Sequence, residues 1–252
     1  MNLEGLLGEL RGNVLRDDAV LASGPNDQLW SDETLVNYIN DAYLRFARRT
    51  LVLRDASTPE VVEVLLAAGV STYDLHESVL SVITARYDTD QVDLERIGRS
   101  LLNMVPYNDP PWFDASTVST LTPGPPRAIN TDETISVDTA GAVHLKIWPA
   151  PTLTEEGKTI YLRVARKPLE LFNIDKLALE CELPIEYQLD MLEWAAYRAL
   201  RNSDIDGHDQ AAKDHEARFE ASISEVLRDM RRKMFAPLTW RFGDHGFSWG
   251  TV

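Results

Sequence analysis

The chain has 252 residues, 44% hydrophobic and 26% charged, enough to bury roughly three quarters of its unfolded surface and far from the composition of a disordered protein. Its 40 acidic and 25 basic residues leave a net charge of −15, which excludes a general attraction to phosphates or anionic membranes as the basis of function. A lone cysteine, Cys181, excludes an internal disulfide, and the N-terminal MNLEGLLGELRGNVL lacks the basic and apolar regions of a signal peptide, so cytoplasmic synthesis is expected.

In chain order, an amphipathic helix is predicted from about Leu3 to Leu15 and a loop at Ser23, Gly24, Pro25, Asn26 and Asp27. The clearest helix runs from Ser31 to Thr50: Ser31 caps it, Asp32 and Glu33 suit its positive end, and Trp30 staples onto Leu35. Leu35, Ile39, Ala42, Tyr43 and Phe46 form its apolar stripe. A short third helix is expected from Pro59 to Ala68, ended by Gly69.

The period then changes. Tyr73 to Leu75 reads as extended, and Val79, Ser81, Ile83, Ala85 and Tyr87 alternate as in a strand. Six prolines, Pro106, Pro110, Pro111, Pro123, Pro125 and Pro126, make Val105 to Arg127 an irregular loop, with Trp112 and Phe113 pinning it down. Val143 to Trp148 and Thr159 to Lys167 are expected as two strands joined through Pro149 to Lys158, with Thr134 to Val137 as a third partner. Helical spacing returns after Pro184: Leu189, Leu192, Ala196, Ala199 and Leu200 mark one helix, and Ala212, His215, Phe219, Ile223, Val226 and Met230 a longer one. These two form an antiparallel hairpin across Asn202 to Gly207. Neither chain end can cover its own apolar stripes, so the two ends should pack together.

The expected fold is therefore α+β. Residues 1–69 supply the N-terminal helices of a bundle, 70–183 an inserted antiparallel β-rich region with the proline-rich loop, 184–233 the hairpin completing the bundle, and 234–252 an extended aromatic arm. Tyr43, Phe46, Leu192 and Phe219 are expected among the buried residues where the two ends meet.

No set of residues has the spacing that catalysis, a metal or a cofactor requires. Asn202, Asp204, Asp206 and Gly207 copy the first half of a calcium loop, but its twelfth position is Lys213 in place of a bidentate glutamate. His208 and His215 are seven residues apart, about 10 Å along a helix, too far to share an ion. His76, His144 and His245 have no ligand neighbour at suitable spacing, and there is no glycine-rich phosphate loop or nucleophile elbow. Arg228, Arg231, Arg232 and Lys233 cluster at the end of the last helix, where cations favour the dipole. Two other classes stay open: an enzyme acting on glycans through a carboxylate pair, and a DNA-packaging or DNA-binding module. The final stretch, MFAPLTWRFGDHGFSWGTV, carries Phe235, Trp240, Phe242, Phe247 and Trp249 among glycines. It is too short to fold alone and too aromatic for a solvated tail, so it is expected to dock either on its own domain or, the favoured reading, on a partner protein.

Several stretches together resemble the head-to-tail adaptor, or connector, proteins of tailed bacteriophages. They are LWSDETLVNYINDAYLRFARRT, Trp112 with the later PGPPRAI turn, HLKIWPAPTLTEEGKTIYLRVARKPLEL, and LPIEYQLDMLEWAAYRALRNSDIDGHDQAAKDHEARFEASISEVLRDMR, covering about residues 30 to 233. The resemblance implies a structural, non-enzymatic virion protein of the neck. It further implies a ring, twelve copies to match the portal, that bridges capsid and tail while genome DNA passes through without specific binding. Its partners would be other copies of itself, the portal and tail or other neck proteins; Phe235, Trp240, Phe242, Phe247 and Trp249 are expected as docking residues from their aromatic density and not from the resemblance.

Overall fold

A computed structural model of the chain describes residues 1–17, 29–88, 93–96, 124–132, 143–203 and 208–235. Contacts divide it into two compact units, Met1 with Leu3–Ala42 and Ile185–Val252 in one, and Asn2 with Tyr43–Pro184 in the other. The described α-helices are α1 (Leu3–Glu9), α2 (Asp32–Thr50), α3 (Pro59–Val62), α4 (Ile185–Arg201) and α5 (His208–Phe235), and a π-helical segment, Leu10–Leu15, continues α1. The described strands are β1 (Arg54–Asp55), β2 (Glu63–Leu65), β3 (Thr72–Asp74), β4 (Val79–Tyr87), β5 (Glu95–Arg96), β6 (Ala128–Asp132), β7 (His144–Trp148) and β8 (Thr159–Arg166). The chain is thus α+β, with helices from its two ends packed together.

In the helical unit, α4 and α5 form the hairpin, and α1 with the π-helical segment lies against α4. The start of α2 is fixed as its sequence requires, the Ser31 hydroxyl accepting the Thr34 N–H at 3.2 Å. Leu35 and Ile39 are fully buried, as are Leu3, Leu6, Leu10, Met191, Leu192 and Phe219. Trp194 packs on Phe219 at 5.3 Å between ring centroids, and its indole N–H donates to Asp41 at 2.7 Å. Arg11 ties Asp17 to the start of α2, donating to Asp17 at 2.9 Å, to Asp32 at 2.6 Å and to the Trp30 carbonyl at 2.7 Å. Asp17 in turn accepts the Leu29 N–H at 3.0 Å.

The other unit holds two four-stranded sheets. In the first, β8 is central: β4 pairs antiparallel along one edge, while β1 and β2 occupy the two ends of the other edge. The second has the order β3-β7-β6-β5, antiparallel except for the β5–β6 pair. A single apolar core unites them, with Val64, Val82, Ile160, Leu162 and Val164 from the first sheet and Ile129, Leu145 and Ile147 from the second.

Four expectations need correction. The helix predicted over Pro59 to Ala68 stops at Val62, and Glu63–Leu65 is a strand on β8. Val61, Val62 and Val64 are stiff at χ1 and fit a strand and its core better than a helix interior, and the ladder satisfies the backbone there. Next, β7 and β8 do not pair as a hairpin but belong to different sheets. The ten residues between them are too many for a tight hairpin turn, and both edges of β8 are already occupied. Third, alternation along β4 is interrupted by register shifts between Val79 and Ser81 and between Val82 and Thr84. Its buried positions become Val79, Val82, Ala85 and Tyr87, because each bulge moves the following residues to the opposite face. Fourth, Tyr43 and Phe46 are buried but belong to the β-rich unit, where Tyr43 stacks on Phe172 at 5.4 Å and accepts the Glu182 N–H at 2.8 Å. The predicted strand at Thr134 to Val137 lies outside the described residues, and β7 is flanked by β6 and β3.

Candidate assembly surfaces

The ionisable groups that the fold buries are engaged in holding it together. Asp55 is the best example. Its carboxylate accepts the Ser57 N–H at 2.9 Å, the Thr58 hydroxyl at 2.8 Å and Arg166 Nε at 2.7 Å, and Arg166 also reaches Glu182 at 2.5 Å. Burial pushes the Asp55 carboxyl up, but these hydrogen bonds outweigh it and hold the group well below the usual carboxylate range. Burial also pushes up the Tyr43 phenol and the Cys181 thiol, which leaves the thiol a poor nucleophile. His215 Nδ1 sits 2.6 Å from Glu193 and is nearly buried at the edge of the core. His208 stacks on Trp30 at 6.3 Å and contacts the Ser203 hydroxyl. His144 faces Asp74 across the β3–β7 ladder at 2.6 Å, and His76 bonds Ser78 at 2.8 Å. Among the described residues no group of three His, Cys, Asp or Glu side chains could hold a metal ion. Asn202, first residue of the calcium-like stretch, instead donates to the Tyr38 hydroxyl at 2.9 Å, and 204–207 lie outside the described residues.

The surface carries more information. Leu153 is 80% exposed at the tip of the segment between β7 and β8. That tip is built rigidly: the buried Glu155 carboxylate accepts the Thr152 N–H at 3.0 Å, and Lys158 N–H bonds the Glu155 carbonyl at 3.1 Å. Gly157 turns the chain with φ +80, a conformation costly for any residue with a Cβ. The neighbouring segment is laced to it by Gly69 N–H to Pro151 O at 2.8 Å and Gly157 N–H to Leu66 O at 3.0 Å. Leu65 and Val70 on that segment are also exposed. Rigid loops that present leucines to water suit docking, because little entropy remains to be lost on binding.

Between α4 and α5 lies a groove of about 370 Å³ lined by Glu186, Tyr187, Asp190, Glu225, Val226 and Asp229. Burial first, and then the neighbouring Glu225 and Glu193, push the Asp190 carboxyl up, against a lowering hydrogen bond from Ser222. Of the aromatic residues predicted to dock on partners, Phe235 ends α5, while Trp240, Phe242, Phe247 and Trp249 lie outside the described residues. Sequence reasoning missed both the groove and the leucine-bearing loops. The helical spacing of Glu186 with Asp190 and of Glu225 with Asp229 was a usable signal for the groove. Nothing local marked Leu153 as exposed.

A family model described as SU10 adaptor protein matches residues 1–241. The chain belongs to the SU10 adaptor protein family. No curated protein is matched. Membership makes it a phage adaptor, of a structural and not an enzymatic family, which gives its surfaces more weight than its clefts. An adaptor binds other virion proteins, and the SU10 adaptor family places this one in the virion. Among the described residues no helix is long and apolar enough to cross a membrane.

Proposed function

We propose that this chain is the head-to-tail adaptor of a tailed phage, forming a ring of identical subunits, twelve to match the portal, that bridges capsid and tail. The observation that carries the reading is the match to the SU10 adaptor family over residues 1–241. The rigid leucine-bearing loops support it, because they hold exposed apolar side chains in place for a contact. Genome DNA passes through the ring without specific binding. Copies carrying −15 each would present a like-charged passage along which DNA slides. Phe235, Trp240, Phe242, Phe247 and Trp249 form an arm that docks on the portal or on a neighbouring neck protein. Native mass spectrometry of the protein, alone and mixed with its portal, tests this. A discrete closed oligomer that joins the portal is the expected result, and a chain that stays monomeric in both samples overturns the ring.

A further inference from the structure

The outer face of the β8 sheet carries arginines with no ion-pair partner among the described residues. Residues paired across a ladder share a face, so Glu63, Tyr161 and Arg86 lie in one row, Thr84 and Arg163 in the next, and Arg54 beyond them opposite Ala165. Arg54, Arg86 and Arg163 are all exposed, and Tyr161 and Leu65 on the same face are 40% and 66% exposed. Arg86 and Arg163 are diagonal neighbours, about 7 to 8 Å apart at the backbone, where like charges repel. Among the described residues neither they nor Arg54 has a carboxylate within ion-pair distance, although Glu63 and Asp93 flank Arg86 on neighbouring strands. In a chain with 40 acidic residues, that is a face whose arginines no described carboxylate pairs with.

The groove between α4 and α5 is its complement. Glu186 with Asp190, and Glu225 with Asp229, are like-charge pairs four residues apart on facing helices, each unfavourable by itself. Among the described residues Asp229 pairs with Arg232, at 3.5 Å. Tyr187 and Val226 give the groove an apolar floor, and Tyr161 and Leu65 give the sheet face an apolar surface. Arginine and tyrosine on one side of a contact with little lysine is the composition of an interface core.

We infer that the outer face of the β8 sheet of one copy docks into the acidic α4–α5 groove of the next. Two different patches meet, so the contact is head-to-tail, and repeating it with the right rotation closes a ring. The inference rests on the ring proposed above and says which surfaces make it.

Two double variants test it in the full-length protein, Arg86→Glu with Arg163→Glu and Glu186→Arg with Glu225→Arg, followed by sedimentation and native mass spectrometry. Each alone should weaken self-association by at least about tenfold, the scale of close interfacial charge pairs. Mixed in equal amounts they should assemble again, because each then offers the partner that the other lacks. Should a reversal disturb folding by circular dichroism, Arg86→Gln with Arg163→Gln carries the same expectation at smaller size. Oligomers of the unaltered chain that resist both reversals overturn the interface and leave the ring standing. An unaltered chain that is monomeric with and without portal removes the ring and this interface with it. If the arginine variant keeps its oligomer but loses binding to duplex DNA, the face belongs to nucleic acid and the inference fails.

Discussion

Asp55 and Asp190 are both aspartates, and the fold treats them in opposite ways. Asp55 accepts hydrogen bonds from Ser57, Thr58 and Arg166 with a side chain 4% exposed. Replacing it with alanine removes these hydrogen bonds and one of the two carboxylates that hold Arg166, and should cost about 1 to 3 kcal/mol, read from denaturant midpoints. Its folded pKa lies below its unfolded one. Its contribution is therefore complete above the unfolded carboxylate range and lost as pH falls through and below it. The unaltered protein and Asp55→Ala should accordingly converge in stability on acidification. Asp190 is raised instead, by burial and then by nearby carboxylates. Its folded form holds a proton more tightly, so it subtracts stability as pH rises above the unfolded value of about 3.9. Asp190→Asn should thus raise the denaturant midpoint of dilute protein at neutral pH and leave it unchanged near pH 3. Equal midpoints at both pH values would show that solvent in the groove already relieves the charge.

The elements that could be read from sequence are those whose signals are local. Ser31, the acidic first turn and the stripe from Leu35 to Ala42 defined α2 without reference to the rest of the chain, and the α4–α5 hairpin followed from period and breakers alone. Ser31→Ala should cost about 0.5 to 2 kcal/mol, with lower helix content near the melting midpoint. Phe219 is fully buried against Trp194, so Phe219→Ala should cost about 3 to 5 kcal/mol. An unchanged unfolding midpoint would show that the pocket around that ring is not close-packed. The β-rich unit was less legible because its decisions are not local. Whether Glu63–Leu65 continues a helix or joins a sheet depends on β8, about a hundred residues later, offering a free edge. The partners of β7 were obscured in the same way: β3 lies far back in the chain, and its true neighbour β6 begins directly after the proline-rich stretch. The candidate surfaces were harder still. A leucine at 153 or an arginine at 163 reads as ordinary until the ladder shows which face it occupies and what lies beside it.

At the scale of the whole molecule, the proposed docking of the C-terminal aromatic segment would decide how a ring of weakly binding subunits holds to its neighbours. Phe235 ends α5, the aromatics Trp240, Phe242, Phe247 and Trp249 come after it in sequence, and Gly243, Gly246 and Gly250 are interspersed with them. Buried aromatic anchors at an interface can contribute 2 kcal/mol or more each, tryptophan above all, so Trp240 and Trp249 rank first. Ordering a segment on its partner consumes part of that gain, so one arm alone would bind modestly. In the proposed ring, copies would present their arms together, and the raised effective concentration would turn modest contacts into a lasting attachment. A chain ended after Phe235 keeps all of α5 and should fold with unchanged helix content and self-association, yet fail to join portal-bearing heads. Trp240→Ala with Trp249→Ala in the full chain should weaken that attachment by at least about tenfold, the size expected of lost anchors. Two results count against the arm. Normal attachment of the shortened chain makes the segment dispensable, and loss of its helical signal makes the segment part of the fold that it follows.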